Sequence, residues 1–115
     1  PARLAAVIVR QNGNLDVALQ LASAAKQGLS AVPEVDDTLG WILVLKRRAS
    51  AALPHLEAAV KAEPNNAAYR YHLGAAYDQL GQIQEARREL QRALQIDQGF
   101  PGAADARKLL AAIGG

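Results

Sequence analysis

The chain has no cysteine and no methionine. Without thiols there is no disulfide framework, thiolate zinc site, iron–sulfur cluster or cysteine nucleophile. A cysteine-free chain suits the cytosol and the periplasm equally. Aromatic residues are scarce: one Trp, three Tyr and one Phe make up 4% of 115 residues, so small side chains must build most of the core. No apolar run approaches the ~18 residues of a membrane-spanning helix; the longest is Trp41-Ile42-Leu43-Val44-Leu45. No signal peptide is visible. Neither charge dominates, because 13 basic and 11 acidic residues leave a net +2, too small an excess to mark a nucleic-acid binder. A chain that opens on Pro1 with no methionine is expected to be processed or to be an excerpt of a longer protein.

Alanine fills much of the space these absences leave, with 25 copies in a chain that is half apolar. Alanine has the highest intrinsic helix propensity, so the composition leans all-α, and the length fits one domain. Sliding the chain against itself by 34 residues aligns several columns: Ala18, Ala52 and Ala86; Ala25, Ala59 and Ala93; Ala22, Leu56 and Leu90; Leu39 and Leu73; Gly40 and Gly74. Shared columns at one offset indicate stacked helical repeats. In the clearest unit, Ala67–Phe100, the spacing predicts one helix from Ala67 to Leu80 and a second from Ile83 to Ile96, with Gly81 as the stop between them. So short a connection makes the two helices antiparallel. Asn65 and Asn66 are cap candidates for the first helix. The preceding unit, Pro33–Asn66, keeps Leu39, Gly40, Leu43, Ala52, Leu56, Ala59 and Pro64, but Lys46-Arg47-Arg48 stands at its turn. Pro54 is expected near the start of that unit's second helix, where a missing N–H costs least. Residues 1–32 form a partial unit with a turn at Asn12-Gly13-Asn14. Residues 101–115 supply one final helix, from Gly102 to Ile113, whose polar side is Asp105, Arg107 and Lys108. The C-terminus reads as the end of an array and the N-terminus as cut from a longer one or degenerate.

Leu73, Gly74, Tyr77, Ala86, Leu90 and Ala93 together resemble the tetratricopeptide repeat (TPR) family, in which small residues let helix backbones approach and large ones fill the space beside them. Resemblance extends from Ala2 to Ile113 and departs from the pattern at Gln98, where the family favours proline. It implies an all-α right-handed superhelix of antiparallel helix pairs, a single domain spanning 1–115, closed by a capping helix. It also implies that the first helix of each repeat lines a concave groove that takes a peptide or protein segment. On this chain the groove positions are Arg3, Val7 and Arg10, with Gln11; Asp37, Trp41, Val44 and Leu45, with Glu34; and Tyr71 and Asp78, with Ala68, Ala75 and Gln79. Family members that clamp carboxylate tails use basic and amide side chains at positions held here by Val7, Trp41 and Ala75, so chaperone-tail binding is not expected. A narrower resemblance, carried by Asp37-Thr38-Leu39-Gly40-Trp41, Tyr71-His72-Leu73-Gly74 and Phe100-Pro101, points to bacterial cell-envelope TPR proteins, including those encoded with exosortase and exopolysaccharide systems. It favours the periplasm or envelope over the cytoplasm and membership of a larger assembly.

No catalytic signature emerges. His55 and His72 have no ligand at helical spacing on their own helices, so no metal or cofactor is expected and both read as surface or groove histidines. Asp36-Asp37 reads as acidic charge in a first helical turn, opposing the dipole. There is no P-loop and no Gly-x-Gly-x-x-Gly, and no Ser-His-Asp set with motif support. Lys46-Arg47-Arg48 and Arg87-Arg88 with Arg92 read as solvated faces, because Glu85 and Glu89 interleave with the second cluster. Gly114-Gly115 reads as a frayed end. The expected function is a non-catalytic scaffold for a protein or peptide partner, with no nucleic acid. The alternative is a structural, self-associating end of a longer array, including a homodimer through the open N-terminal face.

Overall fold

The computed structural model describes residues 15–28 and 32–114, and all regular structure within them is helical. The helices are α1 (Leu15–Gly28), α2 (Pro33–Leu45), α3 (Ala49–Ala62), α4 (Ala67–Gln79), α5 (Ile83–Ile96) and α6 (Ala103–Ala112). Each packs on its neighbour in sequence, and α2 also packs on α4. The expected helix Ile83–Ile96 is found with those bounds, and the two on either side begin or end one residue short of expectation. The partial first unit's leading residues and its Asn12-Gly13-Asn14 turn lie outside the described residues.

Two hairpins, α2–α3 and α4–α5, carry the repeat. In each, a glycine of the first helix lies against a leucine of the second, and both leucines, Leu56 and Leu90, are fully buried. A Cβ on Gly40 would fall 2.6 Å from Leu56 Cγ, and one on Gly74 would fall 3.0 Å from Leu90 Cγ. The two turns repeat the same hydrogen bonds: Arg47 N–H to Val44 O and Arg48 N–H to Leu43 O in one, Gly81 N–H to Asp78 O and Gln82 N–H to Tyr77 O in the other. Such a turn needs a left-handed residue. Gly81 supplies it at φ 76°, and Arg47 is forced into it at φ 63°. Asn66 caps α4 by accepting from Tyr69 N–H at 3.1 Å, whereas Val32, one repeat earlier, gives α2 no side-chain cap.

Pro54 departs from expectation. The tight turn starts α3 at Ala49, so Pro54 lies past the first helical turn, inside the helix on an exposed side, where it removes the bond that Ser50 C=O would have accepted.

The core divides in two. Leu39, Ile42, Leu43, Leu56, Val60 and Leu73 with small alanines join α1 to α4, while Leu90, Ala93, Phe100, Ala103 and Ala106 fasten α6 to the second hairpin. The Arg87 guanidinium donates to Ile113 C=O at 3.0 Å, placing a cation at the C-terminal end of α6, where the helix dipole favours it. Asp105, Arg107 and Lys108 are exposed, giving α6 its polar outer side.

Candidate functional site

Of the five aromatic residues, Tyr69 is buried in the core, while Trp41, Tyr71 and Phe100 gather where the first helices α2 and α4 meet the α5–α6 connection. Trp41 of α2 and Tyr71 of α4 lie with ring centroids 5.5 Å apart, both partly exposed. His72 stacks on Trp41 at 4.1 Å with planes 21° apart, and Phe100, from the α5–α6 connection, packs 6.0 Å from Tyr71. Gly102 makes this possible, since a Cβ there would come within 2.9 Å of the Phe100 ring and 3.0 Å of the Tyr71 ring. These groups wall a cleft of about 230 Å³ whose floor includes Asp37 and Thr38. A second cleft of about 270 Å³ lies on the other side of Trp41, bounded by Leu45, Arg47, Asp78 and Gln79, with Leu109 of α6 closing it. Residues of α2, α4 and α6 therefore share one groove divided by Trp41.

A polar lattice fixes its wall. Asp37 is only 7% exposed, and its Oδ1 lies 2.7 Å from His72 Nδ1. Gln79 Nε2 donates to Val44 C=O at 2.7 Å. Both contacts join residues 35 apart, one repeat plus one, which is the register in which neighbouring first helices touch. Within each hairpin the register is 19: His55 Nδ1 lies 3.1 Å from Asp36 Oδ1, and the Arg70 guanidinium donates to Glu89 Oε1 at 3.0 Å. Asp36 is 5% exposed. Asp36 lies in the first turn of α2, as the sequence predicts, and both carboxylates are in addition buried, each meeting a histidine from another helix. Neither histidine has a partner on its own helix at helical spacing; the partners lie on neighbouring helices. Two adjacent acids and two histidines at these offsets were the available signal.

The sequence-derived groove positions separate into three groups. Asp37, Trp41 and Tyr71 meet in the first cleft, while Leu45 and Asp78 border the second, Leu45 being 38% exposed. Val44 contributes to the second cleft's wall but is 4% exposed and belongs to the core. Arg3, Val7 and Arg10 lie outside the described residues. His72, read from the sequence as a surface or groove histidine, lines the first cleft; Phe100 and Gly102 carry no sequence signal for it, since the connection rather than a helix brings them in.

Burial pushes the Tyr71 hydroxyl pKa up, and the nearby Asp105 carboxylate adds to the shift. Burial likewise holds Tyr69, behind the groove, up at about 12, helped by the charges of Glu63, Asp37 and Glu34. No serine, cysteine or lysine lines the first cleft. Among the described residues no three His, Cys, Asp or Glu side chains gather as a metal site, and no helix is long and apolar enough to cross a membrane. The arrangement is suited to holding a side chain between aromatic walls.

A tetratricopeptide repeat family model matches residues 43–113, well over half of the chain. The chain belongs to the tetratricopeptide repeat family. Its fold is similar to that of several solved TPR structures. A MamA fragment from Desulfovibrio magneticus RS-1 superposes with a TM-score of 0.81 at 22% identity, over 97% of this chain and 61% of that one. The first TPR domain of human RPAP3 gives 0.80 at 14% identity, over 97% and 87% of the two chains. PcrH, solved in complex with the chaperone-binding region of PopD, gives 0.79 at 20% identity, over 96% and 86%. The chain thus spans less than two thirds of the MamA fragment's length. No curated protein sequence matches it.

Proposed function

We propose that this TPR chain is a non-catalytic scaffold that holds a peptide or protein segment in the groove divided by Trp41, as part of a larger bacterial assembly. One observation carries the reading. Trp41 and Tyr71, two of only five aromatic residues, sit side by side on adjacent first helices, each packed against a core yet partly exposed in the cleft. Aromatic groups rimmed by polar ones are the usual composition of binding hot spots. The groove is also preorganised, because the Asp37–His72 and Gln79–Val44 contacts lock α2 to α4 in one register, which lowers the ordering cost of binding. PcrH, of similar fold, is a precedent for a TPR protein solved with a segment of another protein.

The test is site-specific photo-crosslinking in the producing cells. A photoreactive phenylalanine analogue replaces Tyr71 in one variant and the exposed Glu57 of α3 in another. A discrete crosslinked protein at position 71 and none at position 57 is the expected result. Equal labelling at both, or labelling at 57 alone, overturns the groove as the binding surface. An envelope setting, which rests on sequence resemblance, is tested by fractionating the same cells.

A further inference from the structure

The groove's two clefts differ in charge. The second holds both signs, Arg47 opposite Asp78. The first has no Lys or Arg in its lining, which includes the Asp37 carboxylate and its partner His72. The helix that supplies Asp37 and Trp41 has Glu34, Asp36 and Asp37 and no basic residue at all, in a chain that is net positive. Aromatic ring faces are electronegative and attract cations, more strongly where water is partly excluded. A carboxylate can accept about four hydrogen bonds, and His72 uses one of Asp37's.

Building on the groove reading above, we propose that the aromatic cleft is a subsite for a cationic side chain of the bound segment. A lysine or arginine lays its aliphatic stem along Trp41 and Tyr71 and directs its charge toward the Asp37 carboxylate. Long basic side chains divide in this way between apolar surface and a charged end. The cleft therefore has the opposite preference from a carboxylate-binding clamp, and it discriminates against acidic segments by like charge.

Trp41 is the only indole in the chain and reports on the cleft directly. The test titrates the protein, at low ionic strength, with three acetylated and amidated pentapeptides of sequence Ala-Ala-X-Pro-Ala. X is lysine, norleucine (a neutral side chain of similar length) or glutamate. The lysine peptide is expected to shift Trp41 fluorescence with an affinity about fivefold above the norleucine peptide, and the glutamate peptide with the lowest affinity of the three. High salt should narrow that advantage. Equal or tighter binding of the norleucine peptide overturns the cationic preference and leaves the groove reading standing. Tightest binding of the glutamate peptide reverses the sign of the proposal. If none of the three perturbs Trp41 up to its solubility limit, the groove reading falls and this proposal falls with it.

Discussion

The two hairpins, α2–α3 and α4–α5, are the same object built twice with different polar parts. Both bury a leucine against a glycine, Leu56 on Gly40 and Leu90 on Gly74, and both close their turn with the same pair of backbone bonds. Across the hairpin, however, the first has an acid facing a histidine, Asp36 and His55, and the second a base facing an acid, Arg70 and Glu89, at the same spacing of 19 residues. The acid has changed sides and the pairing is kept. Positions that set the distance between backbones are thus restricted to one or two side-chain sizes, whereas positions across the hairpin need only a matched partner. The turn and the cap show a third behaviour: Arg47 and Val32 occupy places where Gly81 and Asn66 fit better, so the first hairpin tolerates local costs that the second avoids.

The largest effect is expected from Leu56→Ala and Leu90→Ala, each removing a fully buried side chain; chemical denaturation should show losses of about 2–5 kcal/mol for each. Markedly unequal losses would mean that the two cores are not equivalent. Next, His55→Glu sets two carboxylates face to face at a part-buried site, at an expected cost of about 1–3 kcal/mol. Adding Asp36→Arg to that variant recreates the second hairpin's charge order and should recover most of the loss. A double-mutant cycle with no coupling would show that pairing is not what the position requires.

Smaller differences follow from backbone geometry. Gly40→Ala forces a contact of 2.6 Å on a buried leucine, and overpacking of about 1–3 kcal/mol outweighs a helix-propensity gain of about 1 kcal/mol. Gly74→Ala meets its leucine at 3.0 Å, and the same two effects should nearly cancel. Thermal melts of the pair should therefore rank Gly40→Ala as the less stable. Arg47→Gly relieves a left-handed residue and should stabilise the first hairpin by about 1 kcal/mol, moving it toward its neighbour.

The last difference is in alkali. All three tyrosines lie in α4, and Val35 stands in α2 where Tyr69 stands in α4. The folded Tyr69 keeps its proton up to about 12, whereas an unfolded tyrosine loses it near 10. Between those values the folded state holds more protons than the unfolded one, so stability falls as pH rises. The second hairpin should lose helicity first in that window, and Tyr69→Phe should delay the loss.

The skeleton of this molecule is readable in one dimension because it is periodic. The columns Ala52/Ala86, Leu56/Leu90 and Gly40/Gly74 have one offset, and close backbone approach permits few alternatives at them. The site is only half readable. Trp41 and Tyr71 follow from the register, but the Asp37–His72 contact spans neighbouring first helices and belongs to no single-helix pattern. Phe100 enters through an irregular connection, whose path depends on Asp97 Oδ1 accepting from Gly99 N–H and on the absence of a Cβ at Gly102. Pro54 lies deeper in α3 than the sequence predicts for a related reason, because the start of α3 is set by the turn bonds at Arg47 and Arg48 rather than by the proline.

An open groove at Trp41, available to a partner, can be tested by light scattering on gel-filtered protein across a hundredfold concentration range, with tryptophan quenching on the same samples. Such a groove predicts a monomer throughout, with Trp41 equally accessible to quencher at every concentration. A mass that rises with concentration while Trp41 becomes protected would contradict it, and would mean that a second copy of the chain already occupies the groove.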